Sequence, residues 1–218
     1  MKQFLVLGLG RFGSAVATTL VELGYEVLGV DTDPEKVNDL KNKITEVVQA
    51  DISDERTLSE LGAKNFDAAI VGIGSNLESS ILTTIILKEM GIKYIIAKAQ
   101  NKLHAKVLEK IGVDKIVFPE RDMGIRIARN LITPNIKDYI DLEPDYSIIE
   151  IEALPKFLNK TLSELDLRNK YRINVLAIKR DNKFNLSPQA KDLIKSGDYL
   201  IVIGETKKIT ELASKENH

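Results

Sequence analysis

Residues 4–13 read FLVLGLGRFG, an apolar run that passes directly into the motif Gly8-x-Gly10-x-x-Gly13. The run Phe4–Leu7 predicts a buried strand, and the periodic segment Phe12–Leu23 predicts the helix that follows it. In this context the first glycine permits a tight turn, the second lets a pyrophosphate approach the backbone, and the third lets the helix pack against the sheet. The stretch therefore predicts a nucleotide site in which amides at the positive end of the helix hold phosphate.

Strands and helices continue to alternate along the next hundred residues. Strands are predicted at Val27–Val30, Glu46–Gln49, Ala68–Val71, Tyr94–Ala97 and Lys115–Phe118, and helices at Leu77–Met90 and Leu103–Ile111. Helical periodicity places Val16, Leu20 and Leu23 on one face and buries Ile81, Ile85 and Leu87. This alternation predicts a Rossmann-like α/β fold with a doubly wound parallel sheet.

The pattern changes after Leu131, because Pro134 disfavours helix at the residue before it. We predict a nucleotide-binding domain over residues 1–134, a connector over 135–145 and a small α+β domain over 146–218. In that second domain the predicted strands are Ser147–Glu152, Asn174–Lys179 and Tyr199–Ile203, the predicted helical pieces are Thr161–Leu165 and Lys207–Ala213, and Asp181-Asn182-Lys183 predicts a hairpin turn.

Polar residues near the glycine motif are candidates for the ligand's sugar and phosphates. Asp31 ends the second strand 18 residues beyond Gly13, near the spacing expected for a carboxylate that binds ribose hydroxyls and repels the 2′-phosphate of NADP. Asp33, before Pro34, suits the cap of the next helix and is kept as a second candidate. Arg11 is either a solvated arginine or a planar donor for phosphate beyond a pyrophosphate, which favours ATP or ADP over NAD.

The loops after the later strands face the same crevice in this fold. Gly74 and Asn76 either contact the nucleotide or form a strand-to-helix turn with an asparagine cap, and both roles are compatible. The remaining cofactor-binding candidates are Phe12, Asp51, Ile52 and Lys98.

Composition excludes several classes of function. The net charge of −1 gives no reason to expect nucleic acid as a partner, and zero cysteines exclude thiolate chemistry. No apolar run approaches the ~20 residues that cross a bilayer, and the first residues lack a secretory pattern, so we expect a cytoplasmic protein without membrane insertion. A dehydrogenase needs a proton donor beside the nicotinamide; His104, alone on a predicted helix, is a poor candidate, so we expect no enzyme.

Four stretches together carry a family resemblance: Gly8–Gly13, Val30–Asp33, Lys98–Asn101 and Phe118–Gly124. They resemble the RCK (TrkA-N plus TrkA-C) proteins, and most of all the regulatory subunits of Ktr-type potassium transporters. Residues 167–180 resemble the TrkA-C half. The resemblance implies a cytoplasmic gating ring, built from homodimers into an octamer, that docks under a membrane potassium-translocating subunit.

The resemblance also implies ligands. ATP and ADP would compete for the first site, with Gly8, Gly10 and Gly13 around the phosphates, Asp31 on ribose and Arg11 at the terminal phosphate. Glu120 matches a family acid that helps bind a divalent cation, Mg²⁺ or Ca²⁺. From the residues alone, the preferred interpretation of Glu120 is an acid in the first turn of a helix, where it stabilises the amino terminus.

In the second domain the resemblance implies a site for cyclic di-AMP. The matching residues are Leu167, Arg168, Ile173, Asn174, Val175 and Pro188. Surface charge for Arg168 and core packing for Ile173 and Val175 remain the alternatives. Arg172 departs from the relatives, which commonly have glycine after the tyrosine. Two other functions also stay open: an NAD(H)-binding regulator of a Trk-type potassium system, and a small NAD-dependent oxidoreductase.

Overall fold

The structure is a computed structural model, and it describes residues 2–74, 76–132, 135–143 and 145–214. The chain divides into two compact units, Met1–Arg121 and Asp122–His218. The division falls near the start of the helix Pro119–Ile132 rather than after its end, where the sequence pattern had placed it. Thr133 and Pro134, the predicted break, lie outside the described residues.

The first unit is built on a parallel sheet that, in the described part of the chain, has six strands in the order β3-β2-β1-β4-β5-β6. The strands are β1 (Gln3–Leu7), β2 (Glu26–Asp31), β3 (Glu46–Gln49), β4 (Ala68–Val71), β5 (Ile95–Lys98) and β6 (Lys115–Val117). Strand order reverses between β1 and β4, which is the switch point at which doubly wound sheets bind ligands. The predicted fold class is confirmed.

Helices connect these strands. They are α1 (Arg11–Glu22), α2 (Pro34–Leu40), α3 (Glu55–Glu60), α4 (Leu77–Glu89), α5 (Lys102–Ile111) and α6 (Pro119–Ile132), with a short 3₁₀ helix at Ala63–Asn65. Side chains cap four of them: Asp33, Asp54, Asn76 and Asn101 accept hydrogen bonds from backbone amides of α2, α3, α4 and α5. Each of these helices follows a strand of the parallel sheet, so its start lies on the side of the carboxyl edge.

Two predictions of buried helix faces need correction. Leu23 is 67% exposed, because α1 ends at Glu22, and Gly13 and Ala17 are the buried residues of that helix. In α4 the small polar residues Ser80, Thr83 and Thr84 are buried together with Leu87, while Ile81 and Ile85 are only partly buried. Thr83 and Thr84 fit this environment because their hydroxyls donate to the carbonyls of Ile52 and Ser80.

The second unit is built on an antiparallel sheet whose described strands have the order β10-β9-β11-β8-β7. The strands are β7 (Ile136–Glu143), β8 (Tyr146–Glu152), β9 (Asn174–Arg180), β10 (Lys183–Asn185) and β11 (Tyr199–Glu205). The predicted connector over 135–145 is therefore wrong for most of its length. It is an edge strand, and its acidic residues suggested a loop because charged side chains are tolerated on an edge.

Short helices complete the second unit: α7 (Leu162–Leu165), α8 (Leu167–Tyr171), α9 (Thr206–Ser214) and a 3₁₀ helix at Pro155–Phe157. Thr161 and Glu164 form a capping box at α7. The predicted hairpin turn joins β9 to β10, with Asp181 and Asn182 both at positive φ. A core that includes Ile149, Ile151, Leu200 and Val202 lies between the sheet and α9.

Candidate functional site

A cavity of about 520 Å³ opens at the carboxyl edge of the first sheet. Its lining comes from the loops after β1 to β4, from the last residues of β2 and β5, from the first turns of α1, α2 and α4, and from the start of α6. The residues are Gly8, Gly10, Arg11, Phe12, Asp31, Thr32, Lys36, Asp51, Ile52, Ser53, Gly72, Ile73, Gly74, Asn76, Ser79, Lys98 and Glu120. The cavity volume and its position at the switch point suit a nucleotide.

The glycine turn leaves no room for side chains where it packs. Gly8 has φ +91°, and a Cβ there would lie 3.0 Å from the amide nitrogen of Ile73. A Cβ on Gly13 would lie 1.9 Å from the carbonyl oxygen of Gly8, so the third glycine lets α1 approach the turn. Gly10, in contrast, has no neighbouring heavy atom within 4 Å of a Cβ position, which leaves its backbone open to the cavity.

The amino end of α1 differs from those of α2 to α5. Gly10 occupies its cap position and supplies no side-chain hydrogen bond, whereas the other four helices are capped by their own aspartate or asparagine. The first turn of α1 also contains no acidic residue. Its first amides therefore retain their hydrogen-bonding capacity, and their position at the positive end of the helix dipole suits an anion.

Asp31 is only 6% exposed and ties the turn to β2. Its Oδ2 accepts a hydrogen bond of 2.6 Å from the amide of Leu9, and its Oδ1 accepts from the amide of Asp33 at 2.9 Å and lies 3.4 Å from Lys36 Nζ. The carboxylate thus fixes the glycine turn and still borders the cavity where ribose hydroxyls can donate to it. Two of the predicted residues lie outside the lining: Gly13 packs behind the turn, and Asp33 caps α2 by accepting from the Glu35 amide.

The turn after β4 is held by a short relay of hydrogen bonds. The side chain of Gln100 donates to the carbonyl of Gly74 at 2.9 Å, and the Gln100 amide donates to His104 Nδ1 at 3.3 Å. His104 is 1% exposed, and burial lowers its pKa, so the imidazole is a neutral acceptor with a structural role. Asn76 lines the cavity and also caps α4 by accepting from the Ser79 amide, so the cap does not remove it from the cavity wall.

Asp51 and Ile52 form the far wall of the cavity after β3. Asp51 accepts from the Ser53 amide at 2.9 Å, and Ile52 is 5% exposed. The polar carboxylate beside an apolar side chain suits the edge and face of an adenine ring. The same wall is braced by α4, because the Ile52 carbonyl accepts the Thr83 hydroxyl.

Two cations and one acid meet at one end of the cavity. Lys98 Nζ lies 2.5 Å from Glu120 Oε1, and Arg11 lines the same part of the cavity. The hydrogen bond from Lys98 and, to a smaller extent, the charge of Arg11 hold the pKa of Glu120 below its ordinary value. Within the described residues no group of three or more His, Cys, Asp or Glu side chains is arranged to hold a metal ion. A cation bound at Glu120 therefore needs phosphate oxygens and water as its other ligands, a combination that Mg²⁺ accepts.

Sequence reasoning did not identify six of the lining residues: Thr32, Lys36, Ser53, Gly72, Ile73 and Ser79. Thr32, Ser53, Gly72 and Ile73 follow the ends of β2, β3 and β4, so the rule that located Asp51 would also have found them. Lys36 and Ser79 come from the first turns of α2 and α4, for which the sequence carries no comparable signal.

The candidate residues of the second unit form a less enclosed arrangement. Leu167 and Ile173 are buried in the core, at 4% and 1% exposure. Arg168 and Asn174 are exposed, and Val175 and Pro188 are partly buried. None of the six lines the larger cavity found in this unit, which is bordered by β9, β10 and residues 192–195. Arg172, the departure from the relatives, has φ +56° at the end of α8, a conformation that glycine adopts more easily.

These features define the class: a Rossmann-like nucleotide-binding unit followed by an antiparallel α+β unit. Residues 4–119 match the TrkA-N domain model, and residues 146–216 match the TrkA-C domain model. The chain therefore belongs to the RCK family, in which these two domains occur together, and it is a homologue of Ktr-type potassium uptake proteins.

Individual relatives support the same family assignment. The chain is 46% identical to the Ktr system potassium uptake protein C of Bacillus subtilis over 217 residues, covering 100% of this chain and 98% of the relative. It is also 46% identical to protein A of that system over 208 residues, covering 95% and 94%. The solved GsuK RCK domain matches with a TM-score of 0.70 at 16% identity, covering 100% of this chain and 48% of that one. In the described residues no helix is long and apolar enough to span a membrane.

Proposed function

We propose that the chain is the regulatory subunit of a Ktr-type potassium transporter and that it senses ATP and ADP in the cavity of its first unit. The observation that carries the proposal is the uncapped amino end of α1, which faces the cavity beside Arg11 and Lys98. Amides and a helix dipole are sufficient for a pyrophosphate, so the two additional cations favour a ligand with more phosphate charge.

Each part of an adenine nucleotide has a place in this cavity. The glycine turn and the first amides of α1 bind the inner phosphates, and the Asp31 carboxylate accepts from ribose. Asp51 and Ile52 border the adenine, while Arg11 and Lys98 meet the terminal phosphate. Glu120 binds a divalent cation that also contacts the phosphates, because its carboxylate is 66% exposed and reaches the same end of the cavity.

The nucleotide acts as a signal rather than a substrate in this proposal. His104 is buried and does not line the cavity, so it is not placed for proton transfer to a bound ligand. ATP and ADP differ in the group that reaches Arg11, Lys98 and Glu120, and this difference provides the differential affinity that shifts a protein between two states. Those states would control a membrane potassium-translocating partner from the cytoplasmic side.

A second copy of the chain is part of the proposal. In α6 the exposed side chains include Met123, Ile125, Ile127, Leu131 and Ile132. Such a density of exposed apolar residues on one helix is typical of a surface that another protein covers. We therefore assign α6 to the dimer contact from which a ring is assembled.

Cyclic di-AMP is the proposed ligand of the second unit. Exposed Arg168 and Asn174 supply donors for phosphate and base, and partly buried Val175 and Pro188 supply apolar contact. Leu167 and Ile173 act from the core, where they support α8 and the start of β9. A surface site of this kind is completed when a second copy provides the opposite wall.

Calorimetric titration of ATP, ADP, NAD, NADH and cyclic di-AMP into ligand-free protein tests the proposal. We expect ATP and ADP to bind more tightly than NADH, and Arg11→Ala to reduce ATP affinity about tenfold more than ADP affinity, because a charge-assisted hydrogen bond is lost. Arg56→Ala, at an exposed position of α3, is the matched control. Arg168→Ala should weaken cyclic di-AMP alone, with Lys170→Ala as its control. Tighter binding of NADH than of ATP would contradict the assignment.

A further inference from the structure

Lys98 lies between two loops and the start of α6. Its side chain is 13% exposed, and its Nζ is 2.5 Å from Glu120 Oε1. A Cβ added to Gly74 would lie 3.3 Å from the same nitrogen, so the missing side chain at position 74 leaves space around the ammonium group. Lys98 therefore has one acid partner in the described residues and an open cavity on its other side.

A cation with so little solvent requires a counter-charge. Glu120 supplies it while the phosphate end is empty. An incoming terminal phosphate is a stronger counter-charge for Lys98, because it presents several anionic oxygens to Nζ and to Arg11. Lysine suits an exchange between partners, since its ammonium is a compact charge on a flexible four-carbon stem.

We propose that Lys98 is an exchangeable counter-ion, which neutralises Glu120 in the ligand-free site and moves to the nucleotide phosphate when ATP and a divalent cation enter. Glu120 is then left without its ammonium partner, and the divalent cation takes that place. This inference rests on the proposed function, because it requires a phosphate ligand in the cavity.

The exchange makes Glu120 a competitor of phosphate when no divalent cation is present. Without a divalent cation, removal of the Glu120 carboxylate releases Lys98 and strengthens ATP binding. With the cation present, the same carboxylate strengthens ATP binding because it holds the cation. If Glu120 served only as a cation ligand, its removal would not strengthen ATP binding in the absence of the cation. If it served only to orient Lys98, its removal would weaken ATP binding both with and without the cation.

The test is calorimetric titration of ATP into the full chain, with EDTA and separately with Mg²⁺. In EDTA we expect Glu120→Gln to bind ATP about fivefold more tightly than the unmodified chain, which is the scale of a partly exposed ion pair. The ATP affinity of the same variant should be no higher in Mg²⁺ than in EDTA. Lys98→Met should lose about tenfold in EDTA and keep its response to Mg²⁺.

Lys106→Met, an exposed position on α5, is the matched control and should follow the unmodified chain in both conditions. Thermal unfolding without ligand establishes that each variant is folded. Unchanged or weaker ATP binding by Glu120→Gln in EDTA overturns the exchange. Failure of the unmodified chain to bind ATP in either condition overturns the proposed function instead, so the two outcomes are separable.

Discussion

The two units differ in how much of a ligand site one chain provides. In the first unit the cavity is enclosed by the backbone of a buried turn, and its acid, Asp31, is already fixed by the Leu9 amide. In the second unit the exposed candidates, Arg168 and Asn174, stand on a surface above core residues. A site made from backbone is prepared before the ligand arrives, whereas a site made from surface side chains depends on what is placed against it.

The largest expected effect tests how strictly the first site depends on its backbone. Gly13→Ala places a methyl group 1.9 Å from the Gly8 carbonyl oxygen, where neither backbone segment has space to retreat. We expect a loss of about 3 kcal/mol in unfolding free energy and no measurable ATP binding. Chemical denaturation and ATP titration measure both effects.

Gly24→Ala is the control for that change, because no heavy atom lies within 4 Å of its Cβ position. Its φ of +86° still adds a strain of about 1 kcal/mol, without any clash. Cyclic di-AMP binding should survive Gly13→Ala in the folded fraction. Retention of ATP affinity by Gly13→Ala would show that the turn is more adaptable than its packing indicates.

An intermediate effect is expected in the second unit, where a buried carboxylate pairs with an arginine. Asp198 is fully buried and accepts two hydrogen bonds from Arg180, at 2.6 and 2.7 Å. Burial alone would raise the pKa of Asp198, but the bonds from Arg180 and from the Lys195 amide outweigh it and hold the pKa below its ordinary value. Arg180→Met should cost about 2–3 kcal/mol, because the variant leaves a buried carboxylate without its cation.

The sign of the pH dependence follows from that lowered pKa. In the unmodified chain the Asp198 contribution is present above the unfolded pKa of about 4 and disappears as the pH falls through the lower folded pKa. The stability difference between the chain and Arg180→Met should therefore narrow in acid. Urea denaturation at pH 7 and near pH 3 measures this difference in unfolding free energy, with Lys183→Met as control. If the difference does not depend on pH, the stability lost in Arg180→Met comes from packing and not from the ion pair.

The smallest expected effect concerns Arg172, beside the candidate residues of the second unit. Its φ of +56° is strained for a residue with a Cβ, so Arg172→Gly should raise the unfolding free energy by about 0.5 kcal/mol. Asn182→Gly is the control, because asparagine already tolerates the same region. If Arg172→Gly instead destabilises the chain, the arginine makes contacts that offset its strain.

Comparison with the sequence predictions shows which signals are reliable. Glycine spacing identified the turn at Gly8–Gly13 because close packing of backbone admits few other residues. Strand ends located Asp31, Asp51 and Lys98, since a parallel sheet brings its carboxyl ends together. These signals are local and depend on the chain alone, so most of the first unit and its cavity was predictable.

Other features depend on contacts distant in sequence. The edge strand β7 was predicted as a connector, because its acidic residues resemble those of a loop. The pairing of Lys98 with Glu120 joins β5 to α6 and has no signature in spacing. In α4 the buried residues are serine and threonine, which hydrophobic periodicity does not detect.

The uncapped start of α1 has a consequence for the lifetime of the protein. If a nucleotide completes this helix as proposed, it would bind the folded chain and not the unfolded one, and it would shift the balance away from opening by mass action. Chains without nucleotide would then unfold more often and be the ones that proteases reach first. The amount of this protein in a cell would then follow the supply of nucleotide, even before any signal passes to a partner.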